Sequence, residues 1–204
     1  TVDEGADVKP GDPASYLRYA ISTASREIHD HAAADGSLKG MGTTSVCALF
    51  HKNLAYVANV GDSRVYRIRG GEILQLTKDH SLVGEQMRAG FLSQEDARGH
   101  RFKNIITRSV GFQKVVEADI DIRAIRAGDV YLLCSDGLSN MVLDQEMRDI
   151  VTNTPPKEAC QRLIDIANER GGDDNVTVLL ACVEVDKGDK RKPAGPDEPT
   201  LEAD

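Results

Sequence analysis

Apolar positions along this chain change rhythm several times, and each change marks an element. Leu17, Ala20, Ile21, Ala24 and Ile28 recur at helical spacing behind Asp12-Pro13. An aspartate can accept from the unpaired amides of a first turn, and a proline suits the first helical position. The pattern predicts a helix from residue 13 to about 33, closed by Asp35-Gly36. From Thr43 to about Leu76 the period becomes that of strands, with runs at 45–50, 54–60 and 64–68. Their separators, His51-Lys52-Asn53, Gly61-Asp62-Ser63 and Gly70-Gly71, carry hairpin chemistry. Successive short connections predict antiparallel pairing of these runs.

Residues 81–103 are mixed and polar, with helical hints at 82–89 and 93–98 weakened by Gly84, Gly90 and Gly99. They read as an excursion between strands. Another strand is expected near 118–125. The turn Gly128-Asp129 then leads into Val130-Tyr131-Leu132-Leu133-Cys134, an almost unbroken apolar run suited to a central strand. Helices are expected at 144–152 and 156–169, parted by Pro155-Pro156, and a last strand at 176–185. Residues 1–12 read as a loop, and residues 186–204 as a disordered tail or linker. Many strands with helices toward both ends predict an α+β fold of two packed antiparallel β-sheets flanked by helices.

Composition narrows the function classes. The 204 residues suffice for one domain with a substantial core, built from Val, Ile, Leu and Ala because aromatics are few and tryptophan is absent. Acidic residues number 33 against 25 basic ones, a net charge of −8. That balance argues against a nucleic-acid surface, which needs a basic stripe, and is compatible with a site that collects divalent cations. No apolar run approaches the roughly 20 residues of a membrane span. Cys47, Cys134, Cys160 and Cys182 have no metal-ligand spacing and are expected to be reduced and buried, which suits a cytoplasmic protein. Gly40-Met41-Gly42 lacks the lysine and spacing of a nucleotide-binding loop. The alternating acids Glu117, Asp119 and Asp121 read as one solvated strand face.

The chemistry lies in carboxylates at strand ends, which can gather hard cations because Mg²⁺ and Mn²⁺ prefer oxygen ligands. Asp136 follows the central run, Asp174 precedes the last one, and Asp79 and Asp62 follow earlier strands. Each alone also reads as a turn or cap residue, Asp79 as the cap of a helix starting near Ser81. The ordered series is more specific than any member. It runs Gly40-Met41-Gly42-Thr43-Thr44, Val60-Gly61-Asp62-Ser63-Arg64, Leu76-Thr77-Lys78-Asp79-His80-Ser81, Ile106-Thr107-Arg108-Ser109-Val110-Gly111, Ser135-Asp136-Gly137-Leu138 and Gly171-Gly172-Asp173-Asp174-Asn175-Val176-Thr177-Val178. From about Ala14 to Val185 the chain resembles the metal-dependent protein serine/threonine phosphatases of the type 2C (PPM) family, most closely the bacterial members.

The resemblance implies a β-sandwich of two antiparallel sheets flanked by helices (an αββα sandwich). It implies hydrolysis of phosphoserine and phosphothreonine in proteins by water or hydroxide shared between two Mn²⁺ or Mg²⁺ ions, on phosphorylated protein substrates of a Ser/Thr kinase. Matched by motif, Asp136 and Asp174 bind a core metal, Asp79 and Asp136 bind a possible third ion, and residues 82–104 form the variable flap. Asp62 and Ser63 fit a structural turn, and Arg64 and Arg108 fit ion pairs better than phosphate contacts. The family's first acidic strand and its Asp-Gly-x-Gly-Gly segment have no counterpart here. The expectation is a catalytic domain over 1–185 that is incomplete at its N-terminus, so that this chain alone is weak or inactive. The alternative is a non-catalytic regulatory or phosphoprotein-binding module on the same fold.

Overall fold

Asp12 accepts from the amides of Ala14 and Ser15, each at 3.2 Å, and Pro13 takes the first helical position, so helix α1 (Pro13–Ala34) starts where the sequence predicts. The computed structural model describes residues 11–93, 96–97 and 99–184. Residues 1–10 of the expected loop at 1–12, the end of the strand expected at 176–185, the tail at 186–204 and part of the helical hint at 93–98 lie outside those residues. The chain forms two units. The first takes the residues up to 49 together with 56–63 and 78–120, and the second takes 50–55, 64–77 and those from 121 onward.

In the first unit, α1 presents Leu17, Ile21, Ala24 and Ile28 to a core with Ala58, Val60, Val110, Val116 and Ala118. Ser25, fully buried on the same helix, donates to the Gln113 carbonyl at 2.8 Å and accepts from the Gly111 amide at 2.9 Å. That latch works because Gly111 has no Cβ, which would otherwise strike Ile28. Strands β1 (Ser45–His51), β2 (Leu54–Val60) and β5 (Asp119–Ala124), each divided in sequence between the two units, form a three-stranded sheet in the order β1-β2-β5. Helix α2 (Leu82–Arg88) is capped by Ser81, whose hydroxyl accepts from the Gly84 amide at 3.1 Å. The cap is therefore Ser81 and not Asp79.

In the second unit, β3 (Arg64–Arg69), β4 (Glu72–Gln75), β6 (Val130–Cys134) and β7 (Val178–Cys182) form an antiparallel sheet ordered β4-β3-β6-β7. Helices α3 (Asp136–Ser139), α4 (Asp144–Asn153) and α5 (Pro156–Glu169) pack Leu138, Met147, Ile150, Ala159 and Leu163 against Tyr66, Ile68 and Leu132. The carboxylate of Asp129, inaccessible to solvent, is held by Arg69 through Nε at 2.6 Å and Nη2 at 2.7 Å, and by the Arg126 amide at 2.8 Å. A buried carboxylate is tolerable when it is paired and hydrogen-bonded in this way.

The class is the expected one, α+β with two antiparallel sheets and flanking helices. Four details differ. β2 and β3 do not form a hairpin: they belong to different sheets, and Gly61-Asp62-Ser63 is a buried corner rather than an exposed turn. Gly61 sits at φ +107 with the Thr44 side chain where a Cβ would be, and Thr44 Oγ1 and Ser63 Oγ are hydrogen-bonded at 2.9 Å. β4 escapes the sequence pattern because its side chains alternate around Ile73 with one exposed and one half-buried face. Asp136 opens a four-residue helix where a bare turn was expected. All four cysteines are reduced, but Cys134 alone of them is buried, and Cys182, on β7 at the end of its sheet, is exposed.

Candidate metal centre

Strand β6 carries the chain through the interior of its sheet and releases it at Cys134, so Asp136 emerges as the first residue of α3. Buried Leu138 and Ser139 hold that helix down, which fixes where the aspartate can point. Its carboxylate receives the Asn140 side-chain amide at 3.4 Å. Asp174 arrives from the other side. Helix α5 ends with the Gly171 amide donating to Asn168 O at 3.2 Å and the Gly172 amide donating to Ala167 O at 3.1 Å. Gly172 stands at φ +58, a left-handed conformation that glycine adopts without the Cβ penalty. The reversal carries Asp173, Asp174 and Asn175 back toward the start of β7, and the Asn175 amide donates to Asp174 Oδ1 at 2.6 Å.

These two segments lie in backbone contact. The Ser135 amide donates to Thr177 O at 3.2 Å. A Cβ on Gly137 would stand 2.5 Å from Asn175 O and 3.4 Å from Asp174 O. A cavity of about 440 Å³ opens beside Asp174, lined by Ile164, Asn168, Asp173 and Asp174 but not by Asp136. Asp136 is half-buried and Asp174 exposed. Burial pushes the Asp136 carboxyl above its ordinary value, and the negative charge of Asp174 pushes it further, against the Gly137 amide and the Arg64 guanidinium. Two close carboxylates that resist joint ionisation would lose that repulsion to a shared divalent cation. Their oxygen donors are of the hard type that Mg²⁺ and Mn²⁺ select. Two carboxylates are the donor type, though only part of the ligand set, for the ion that the resemblance implies.

Asp79, the third candidate ligand, lies in the first unit and is half-buried. Its carbonyl accepts from Arg88 Nη1 at 2.9 Å, which ties the segment to the end of α2. Among the described residues no group of three or more His, Cys, Asp or Glu side chains is gathered as a metal site, and what joins Asp136 to Asp174 is the contact of their backbone segments.

Next to Asp79 is a cluster that residue spacing did not reveal. His80 is buried, with Nδ1 accepting from the Gly61 amide at 3.0 Å, which leaves the proton of the neutral ring on Nε2. Nε2 stands 3.2 Å from Asp119 Oδ2, off the N–H axis, and Arg108 Nη1 lies 2.7 Å from Asp119 Oδ1. Asp119 is thus tied to two partners, not simply part of a solvated face, and Arg108 is in the expected ion pair. Burial lowers the His80 pKa below its ordinary value. Burial also acts to raise that of Asp119, but Arg108 and His80 overcome it and hold the carboxyl low. The signal for this cluster was spread over three motifs and needed the β5 register to join them.

The profile of the family described as Protein phosphatase 2C matches residues 3–176. The chain belongs to that family. It is 44% identical over 167 residues to the serine/threonine phosphatase stp of Listeria welshimeri, covering 81% of this chain and 66% of the relative. It is 41% identical over 169 residues to the protein phosphatase PhpP of Streptococcus pneumoniae, covering 82% and 68%. The chain thus spans about two thirds of the length of these relatives. Among solved structures, the Mycobacterium tuberculosis serine/threonine phosphatase PstP/Ppp superposes with a TM-score of 0.81 at 37% identity, covering 88% of this chain and 76% of that one. A PstP catalytic domain in complex with 2 manganese ions superposes with a TM-score of 0.79 at 36% identity, covering 88% and 75%. No helix among the described residues is long and apolar enough to cross a membrane.

Proposed function

We propose that this chain forms the larger part of a catalytic domain that hydrolyses phosphoserine and phosphothreonine in proteins, with Mn²⁺ or Mg²⁺ as cofactor. The observation that carries the reading is the Asp136–Asp174 pair, set on two interlocked loops in a chain of the type 2C family. Asp136 and Asp174 hold a core divalent ion, and Asp79 is a ligand of an additional one. When bound, such ions acidify water and neutralise charge on phosphate oxygens. The protein's own contribution is positional. Asn140 and the Asn175 amide orient the two carboxylates, and the Asn168 end of α5 walls the adjoining cavity. The substrates are phosphoproteins made by a Ser/Thr kinase, and the working compartment is the cytoplasm. Residues 82–104, the flap, border substrate access.

The test is phosphate release from a phosphothreonine peptide by the full-length gene product with Mn²⁺. Asp136→Asn and Asp174→Asn should each lower turnover by at least about a hundredfold, the scale on which positioned charge acts in such sites. Turnover by both variants within tenfold of the unaltered protein overturns the reading.

A further inference from the structure

The serine ahead of Asp136 is diverted from the task its position offers. Ser135 is the N-cap residue of α3, where a serine hydroxyl ordinarily accepts from an amide of the first turn, yet it makes no such bond. Its hydroxyl donates to Asn175 O at 2.9 Å and accepts from the Thr177 amide at 3.0 Å. Together with the bond from its own amide to Thr177 O, one residue makes three bonds to a segment about forty positions away. That segment carries Asp174, and the residue after Ser135 is Asp136. Gly137 completes the arrangement by leaving no clearance against Asn175 O.

We propose that Ser135 is a positioning residue that fixes the separation of Asp136 and Asp174 for a divalent cation. The inference deepens the metal reading above and rests on it. The bonds are too exposed to matter chiefly for stability, since a hydrogen bond at the surface exchanges with water at little net gain. Their geometric effect remains, because both loops must present oxygen atoms to one ion within a few tenths of an ångström. Groups that orient metal ligands typically contribute 10- to 100-fold in metal affinity.

The experiment is Mn²⁺ titration of the chain, followed by calorimetry and by the loss of the free-ion electron paramagnetic resonance signal, with melting curves on every variant. Ser135→Ala should weaken the Mn²⁺ Kd by about 10- to 100-fold, and Ser135→Thr, which keeps a hydroxyl, should restore it. Ser25→Ala is a matched control, since that serine also donates to a carbonyl and accepts from an amide, in the first unit. It should lower the melting temperature while leaving Kd within about twofold, the span within which independent substitutions add. A Ser135→Ala Kd within twofold of the unaltered chain, while Asp174→Asn abolishes binding, overturns the positioning role and leaves the metal reading standing. Manganese binding indifferent to Asp136→Asn and Asp174→Asn overturns the metal reading and this inference with it. An equal loss of affinity in Ser25→Ala also overturns it. Should Ser135→Ala not fold, Ser135→Cys, with a weak thiol donor, takes its place. Equal affinity of the Cys and Thr variants is then the refuting result.

Discussion

Replacing Gly137 by alanine puts two effects of known size in opposition. Gly137 lies inside helix α3 and has no positive φ, so alanine suits its backbone and gains about 0.5–1 kcal/mol in helix propensity. Against that, the new Cβ falls 2.5 Å from Asn175 O and 3.1 Å from its carbonyl carbon. Ordinary contact begins near 3.4 Å, so the Asn175 backbone must retreat by about 0.9 Å. The obstacle is main chain held by the Ser135 bonds rather than the loose end of a side chain. Forced overpacking of this kind costs about 1–3 kcal/mol. The contact outweighs the propensity, and Gly137→Ala should lose about 1–2 kcal/mol, or about 2–8 °C in Tm for a chain of this size. Because Asp174 precedes Asn175, the same retreat moves a candidate ligand by several times the 0.2 Å that metal coordination tolerates, and Mn²⁺ affinity should fall at least tenfold. Urea denaturation and calorimetric Mn²⁺ titration measure the two effects separately. A Gly137→Ala chain that is as stable as the parent, with unchanged affinity, would refute the claim that the two loops meet without clearance.

Other perturbations probe the frame around the site. Arg69→Ala takes the guanidinium from the buried Asp129 carboxylate, leaving it the Arg126 amide, and should cost about 3 kcal/mol, the lower end for a broken buried pair because the Arg69 side chain is partly exposed; urea unfolding reports it, and a loss under 1 kcal/mol contradicts it. Asp119 ionises below its ordinary value, so its stabilisation is present above that value and is lost as pH falls through the lower, folded one. Asp119→Asn should therefore be less stable than the parent at pH 7, with the gap closing as pH drops below about 4, the ordinary carboxyl range; a gap independent of pH counts against the Arg108 and His80 pairing. Mn²⁺ at a hundred times its Kd should raise unfolding free energy by about 2.7 kcal/mol, and Asp174→Asn should remove that gain in a melting experiment.

Much of this was written in local chemistry. Asp12-Pro13 starts α1, Pro155-Pro156 starts α5, and the unbroken run 130–134 becomes an interior strand, because caps, fixed φ and two-sided burial act through neighbouring residues. Asp136 and Asp174 alone read as turn residues at strand ends, and only the ordered series of motifs singled them out as candidate ligands. Gly61-Asp62-Ser63 misled because its residues are those of an exposed turn, whereas Thr44, seventeen positions earlier by number, buries it. The Ser135 latch and the His80–Asp119–Arg108 cluster were invisible for the same reason. Each depends on register between distant segments, which no local periodicity encodes.

The buried corner at 61–63 also constrains how the chain acquires its shape. Because β3 turns away from β2 to pair with β4 and β6, neither sheet can be finished from consecutive segments. During synthesis the first two strands must await residues near 120, and the next two must await those near 130 and then 180. Such non-local pairing pays its loop-closure entropy before any reward and slows folding. Open strand edges persist on the nascent polypeptide meanwhile, so the yield of this protein in a cell should depend on holdase chaperones more than its size alone would suggest.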